Sequence, residues 1–238
     1  MKLVLLRVGI DTGSGGIHGP LFRDSTFEFI PIPDGSHTDP RTYGNTNDRS
    51  HGRLLVDYFP GPRRKEMANQ SMHVDPEFDM FTYGDPTSPK ARLRTLAKGD
   101  ILAFYSGLEG WDFSSAPALY IVGYFEVAKA GLAREMGENN VKTNFSSNFH
   151  VRHSRIRSKD WNSLVLVKGD RKSRLLSEPV LISTTGQDRI GKPLKVLSKE
   201  MRRIFGDFEG RISIQRSPPR WVSQELVGGA ADFVRSLE

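Results

Sequence analysis

Apolar runs punctuated by glycine- and proline-rich turns dominate the chain, and they predict mostly strands. Residues 2 to 9, KLVLLRVG, read as a fully buried first strand, since five of the eight are Val or Leu. Ile101 to Tyr105 and Leu119 to Val127 read as two more buried strands around an aromatic loop that carries Trp111 and Phe113. Further strands are expected at Phe27 to Pro33, Leu54 to Phe59, within Trp161 to Lys168, and at Val180 to Ser183. Helical spacing is sparser. It predicts a turn or two over Lys90 to Ala97, a helix from Ala128 to Gly137, a basic amphipathic helix from Lys195 to Phe205, and a last helix ending at Leu237. Residues 33 to 53 are poor in apolar side chains and predict a long loop. With no linker evident, the pattern predicts a single α+β domain over 1–238, built on a curled or barrel-like mixed β-sheet with flanking helices.

Composition narrows the classes. A chain of 238 residues can bury a sizeable core. No apolar run nears the ~20 residues that span a bilayer, and Arg7 interrupts the opening too soon for a signal peptide, so a cytoplasmic protein with no membrane partner is expected. The absence of cysteine excludes disulfides, thiolate metal sites and cysteine nucleophiles. Net charge is +6. That favours a polyanionic partner, and the charge is uneven: between Lys142 and Arg174 nine lysines and arginines face only Asp160 and Asp170.

Three stretches carry candidate chemistry. The glycine-rich run Asp11 to Gly16 follows a strand, which suits either a phosphate cradle or a plain hairpin turn; it matches no nucleotide motif, and a strand follows it. HVDPEFDMFTYGDP, residues 73 to 86, is the densest in polar groups. His73 and Asp75, two apart on an extended segment, point the same way. With a histidine from elsewhere (His18, His37, His51, His150 or His153) they would complete a two-histidine, one-carboxylate site for a divalent metal. The competing reading is a turn in which Asp75 caps local N–H groups before Pro76. Glu77 and Asp85 are further candidates for acid and base work beside His73 and Asp75. The third stretch is cationic: Arg152, Arg155, Arg157, Lys159, Arg171, Lys172 and Arg174 form a track suited to phosphates.

Two resemblances add to this. KGDILAFY, a loop, then IVGYFEV resembles the central strand pair of the PUA-like β-barrels (EVE, ASCH and YTH domains), placing a PUA-like core at about 90–185. It implies a base-sized cleft near Tyr105, Ser106 and Trp111. LLRVGIDTGSGGIHGPLFRDSTFEFIPIPD, HVDPEFDMFTYGDP and KGDILAFYSGL together resemble the third of the nucleotide-modification-associated domain families over about the first 127 residues. That implies an association with modified nucleic acid.

Three functions stay open on this reading. The first is a module that binds a modified nucleotide or base through Tyr105, Ser106 and Trp111 and holds nucleic acid on the arginine track. The second is an enzyme acting on modified nucleotides through His73, Asp75, Glu77 and Asp85, with a divalent metal as its cofactor. The third is an accessory subunit whose basic face meets an acidic protein.

Overall fold

The computed structural model describes residues 1–37, 39–215 and 218–238. Its strands, in chain order, are β1 (Leu3–Arg7), β2 (Gly19–Leu21), β3 (Ile32–Pro33), β4 (Met72–His73), β5 (Thr82–Asp85) and β6 (Ile101–Gly110). They continue with β7 (Ala118–Leu132), β8 (Val165–Gly169), β9 (Arg174–Leu181), β10 (Ser183–Gln187), β11 (Pro193–Leu197) and β12 (Arg220–Trp221). The α-helices are α1 (Gly61–Met67), α2 (Ala133–Met136), α3 (Glu138–Phe145), α4 (Phe149–Arg152), α5 (Ser154–Asp160), α6 (Lys199–Phe205) and α7 (Val227–Arg235).

The antiparallel pair β6–β7 is the spine. Phe104 and Phe125 meet edge to face at 4.7 Å inside it, and both are fully buried, as expected of aromatic residues packing on a pleated surface. One edge of β6 carries β1 and then β2, both parallel to it. The free edge of β7 carries β9 and then β8, both antiparallel. The main sheet runs β12-β1-β6-β7-β8-β5. Its end strands do not pair with each other, so among the described residues the sheet is mixed, flanked by helices, and not closed into a barrel.

Several elements differ from the sequence pattern for identifiable reasons. β7 runs on to Leu132 because Lys129–Leu132 pair with β8, leaving only Ala133–Met136 helical where a longer helix was expected. Leu55–Tyr58 is a 3-10 turn and not a strand, with the Asp57 carboxylate accepting from the Leu54 N–H. Gly61–Met67 is a helix started by Pro62 in its first turn. The stretch expected as one helix over 195–205 divides at Ser198, whose side chain accepts from the Met201 N–H and so starts α6 after β11. The long loop is packed: Tyr43 is fully buried and its hydroxyl donates to the Pro31 carbonyl. Residues 138–160 are mostly helical, not strands or loops.

The glycine-rich loop is neither hairpin nor phosphate cradle. β1 and β2 follow one another along the same edge of β6, so the loop between them is an excursion between two collinear strands. Its amides are already engaged, since the Asp11 carboxylate accepts from the N–H groups of Gly13 and Ser14.

Candidate metal centre and adjoining cleft

His73 ends β4, which pairs with β3 through Ile32↔His73. Two residues on, Asp75 reaches across to β5, where its Oδ2 accepts from the Gly84 N–H at 2.8 Å. Gly84 permits this crowding, because a Cβ there would sit 2.7 Å from Asn148 Oδ1 and 3.2 Å from the His150 ring. Asn148 caps α4 by accepting from the His150 N–H, fixing the single turn that presents His150. The His73 imidazole lies flat on the Phe149 ring at 4.0 Å, with His150 edge-on at 4.9 Å.

Ligand atoms of His73, Asp75 and His150 lie within 4.8 Å of one another, and His150 Nε2 is 3.8 Å from Asp75 Oδ2. Donors around one ion at ~2.1 Å lie roughly 3 to 4 Å apart, so sub-ångström adjustments would suffice to share a cation. Two buried atoms in the cluster, His73 Nε2 and Asp75 Oδ1, make no well-formed hydrogen bond, with the Asn148 side chain beside the Asp75 carboxyl, whereas buried polar atoms are ordinarily satisfied.

The electrostatics have the same character. Burial, with His150 beside it, pushes the His73 imidazole down to about 3. Burial likewise lowers His150, against the pull of Asp160. Both rings are therefore neutral at physiological pH, the form that ligates metals. Burial drives the Asp75 carboxyl well above its usual range despite the Gly84 N–H. Without a cation beside it the carboxyl is held toward its protonated form, and a bound cation would favour the carboxylate. Behind the cluster, His150 Nδ1 is 3.3 Å from Asp160 Oδ2, the carboxylate–histidine arrangement that orients metal-bound imidazoles.

His73 and Asp75 line a cleft of about 300 Å3 together with Arg7, Asp11, Asp85 and Lys90. Arg7 pairs with Asp11 at 3.0 Å and Lys90 with Asp85 at 3.0 Å. Asp85 also accepts from the Tyr83 hydroxyl and from Thr87. Burial alone would raise its pKa, but Lys90 and Thr87 outweigh that and hold it below the usual value. An ionised Asp85 so engaged is a wall of the cleft and not a free base.

The remaining expected site residues are placed apart. Glu77 is buried against Thr82 and faces Arg152 at 3.8 Å, outside this cleft. Tyr105 is fully buried and donates its hydroxyl to the Ile214 carbonyl at 2.9 Å, so its ring cannot stack on a base. Ser106 is also buried, under Gly9, whose φ of +75° keeps the backbone close. Trp111 lies beyond the end of β6, 38% exposed, with Tyr58 edge to face at 5.0 Å. The three do not form one pocket.

Nor do the cations form one track. Arg152 is half-buried and bound to Asp39, whose side chain is 1% exposed. Arg155, Arg157 and Lys159 ride on α5 before β8, while Arg171, Lys172 and Arg174 follow its far end. Lys172 pairs with Glu126 at 3.2 Å and Arg174 lies over the Tyr124 ring. Trp111 neighbours the Ala118 end of β7, whereas β8 pairs with the Val127–Leu132 end. At ~3.3 Å per residue roughly 30 Å of strand separates them.

Sequence spacing alone did not single out Asp160, Arg7 or Lys90, nor choose His150 among five histidines. The Asn148 cap before a short helix was the available local signal.

The family model described as nucleotide modification associated domain 3 matches residues 2–235, a span that contains His73, Asp75, His150 and Trp111. No match was found among curated proteins or among solved structures. Among the described residues no helix is long and apolar enough to cross a membrane. A match over nearly the whole length places this chain in the nucleotide modification associated domain 3 family.

Proposed function

We propose that the protein is a metal-dependent enzyme of a nucleotide-modification system, holding one divalent cation on His73, Asp75 and His150 and acting on a nucleotide in the adjoining cleft. The observation that carries this reading is the convergence of two buried imidazoles and a buried carboxyl within 4.8 Å of one another, with His73 Nε2 lacking a hydrogen-bond partner. Three protein donors are fewer than the roughly four to six that a divalent cation takes, so positions would remain for water or substrate on the cleft side of His73 and Asp75. A cation held by His73, Asp75 and His150 would supply Lewis-acid, water-activating or redox chemistry at the mouth of the cleft. Arg7 and Lys90 on the cleft wall are the cations that would orient an anionic group of the substrate.

Elemental analysis after anaerobic loading with Fe(II), Mn(II), Co(II) or Zn(II) tests the proposal. Near one equivalent of at least one metal is expected, falling to background in His73→Ala and His150→Ala. The reading is lost if none of the four loads, or if both variants load as well as the parent.

Asp160→Asn is a separate prediction. It retains the shape of the contact to His150 but removes the charge, and weakens Co(II) affinity by roughly 10- to 100-fold. The Co(II) absorption bands should shift while the far-UV spectrum stays unchanged. Unchanged affinity and bands would leave Asp160 with a packing role alone.

A further inference from the structure

The metal cleft is the first of three adjoining hollows that share lining residues and together outline a groove. Arg7 and Asp11 are shared between the cleft and a second hollow of about 490 Å3. Thr12, His18 and Pro117 are shared in turn between that hollow and a third, of about 640 Å3, which Trp111 lines. The Asp11–Gly16 loop thus borders all three hollows. It is pinned from outside by Arg63, which donates to the Gly15 carbonyl. Each hollow is the size of a site for one small ligand, and three in series suit a chain of linked units better than one mononucleotide.

The far hollow has the parts that hold a base. The Trp111 indole is propped by Tyr58 and stays 38% exposed. Beside it stands Glu109, whose Oε2 lies 3.2 Å from His18 Nδ1 while the other oxygen is available to a base amino group. Gly107 makes room for that pair, since a Cβ there would lie 2.8 Å from the His18 ring. Each outer hollow also carries a cation that forms no ion pair among the described residues. Lys195 in the second touches the Thr185 hydroxyl, and Arg64 in the third bonds the Phe59 and Asp57 carbonyls.

We infer that this groove binds a single-stranded polynucleotide, with a flanking base stacked on Trp111 and the intervening phosphates near Lys195 and Arg64, so that the unit to be modified reaches the metal cleft. An aromatic platform combined with cations along a groove is how single strands are gripped without duplex geometry. The inference rests on the metal-centre reading for its reacting end, and it makes the substrate a strand and not a free nucleotide.

The test is fluorescence anisotropy of the full chain with labelled single-stranded DNA and RNA decamers, the same decamers as duplexes, and unlabelled mononucleotides as competitors. At least one single-stranded decamer should bind more tightly than its duplex, and mononucleotides should compete poorly. Trp111→Ala should weaken binding about tenfold and Trp111→Phe should largely restore it. The double variant Lys195→Ala/Arg64→Ala should flatten the salt dependence by about one to two ions. Circular dichroism of each variant separates lost binding from lost fold, and Trp111→Phe keeps the test decisive if Trp111→Ala misfolds. Absence of decamer binding, equal competition by mononucleotides, or an unchanged affinity in Trp111→Ala overturns the inference. Co(II) uptake read in the same samples separates the two proposals. Uptake without Trp111-dependent binding removes the groove and leaves the metal centre; Trp111-dependent binding without uptake does the reverse.

Discussion

Arg152→Ala is expected to lose about 2 to 3 kcal/mol of folding stability, whereas Arg155→Ala, Arg157→Ala and Lys159→Ala each change it by less than about 0.5 kcal/mol. All four belong to one cationic stretch of sequence, and their environments separate them. The Asp39 carboxylate, 1% exposed, is held by Arg152 and by Arg41, with His153 at 3.5 Å. Breaking a buried pair costs about 3 to 5 kcal/mol because a charge is left without its partner. The loss here falls at or just below that range, since Arg152 is 23% exposed and Arg41 remains. For a chain of this length the loss corresponds to roughly 5 to 10 °C in Tm. Arg152→Lys should fall between, because an ammonium cannot reproduce the fork that reaches both Asp39 and Glu77. A double-mutant cycle with Asp39→Asn should show coupling of at least about 1 kcal/mol. If Arg152→Ala left Tm within a degree or two and instead weakened oligonucleotide binding, Arg152 would be a phosphate ligand and not a structural cation.

The same residue shows what the sequence made legible and what it did not. β1, β6 and β7 were readable because a strand covered on both faces is written as an unbroken apolar run. The pair His73 and Asp75 was readable because residues two apart on an extended segment share a side. What escaped was long-range. Whether Arg152 meets solvent or Asp39 depends on a contact 113 positions away, and no local pattern encodes it. His150 comes to Asp75 because α4 packs on β5, and β5 is placed by its pairing with β8. Apart from the Asn148 cap, nothing around His150 distinguishes it locally from His18 or His51. Tyr105 misled for a related reason: an aromatic beside a serine at the end of an apolar run suits a cleft and a core equally well, and the tail decided between them by offering the Ile214 carbonyl. Helix lengths were misjudged where pairing outweighed propensity, as at Lys129–Leu132.

Asp75→Asn is expected to leave the metal-free protein as stable as the parent or more so, and to abolish stabilisation by metal. The two signs arise from one cause. Asp75 has a side chain 3% exposed, one oxygen bonded to the Gly84 N–H and the other beside the Asn148 side chain. Burial that raises its pKa is a folding cost for a group that is ionised in the unfolded chain at neutral pH. The amide has the same shape and can still accept from Gly84, so it removes that cost and leaves the backbone tie in place. It is also a far weaker ligand. At a free metal concentration of about 100 Kd, binding to the folded state alone adds about 2.7 kcal/mol, or roughly 5 to 10 °C in Tm for the parent. That increment should vanish in the variant. Thermal melts of both proteins, with chelator and with the metal that loads best, measure all four values. A residue whose replacement helps the apo fold while removing ligand stabilisation is one whose strain serves function. Were Asp75→Asn instead to lower the apo Tm as far as Arg152→Ala does, the carboxylate would be bracing the contact with Gly84 on β5, and the metal centre would lose its anionic ligand.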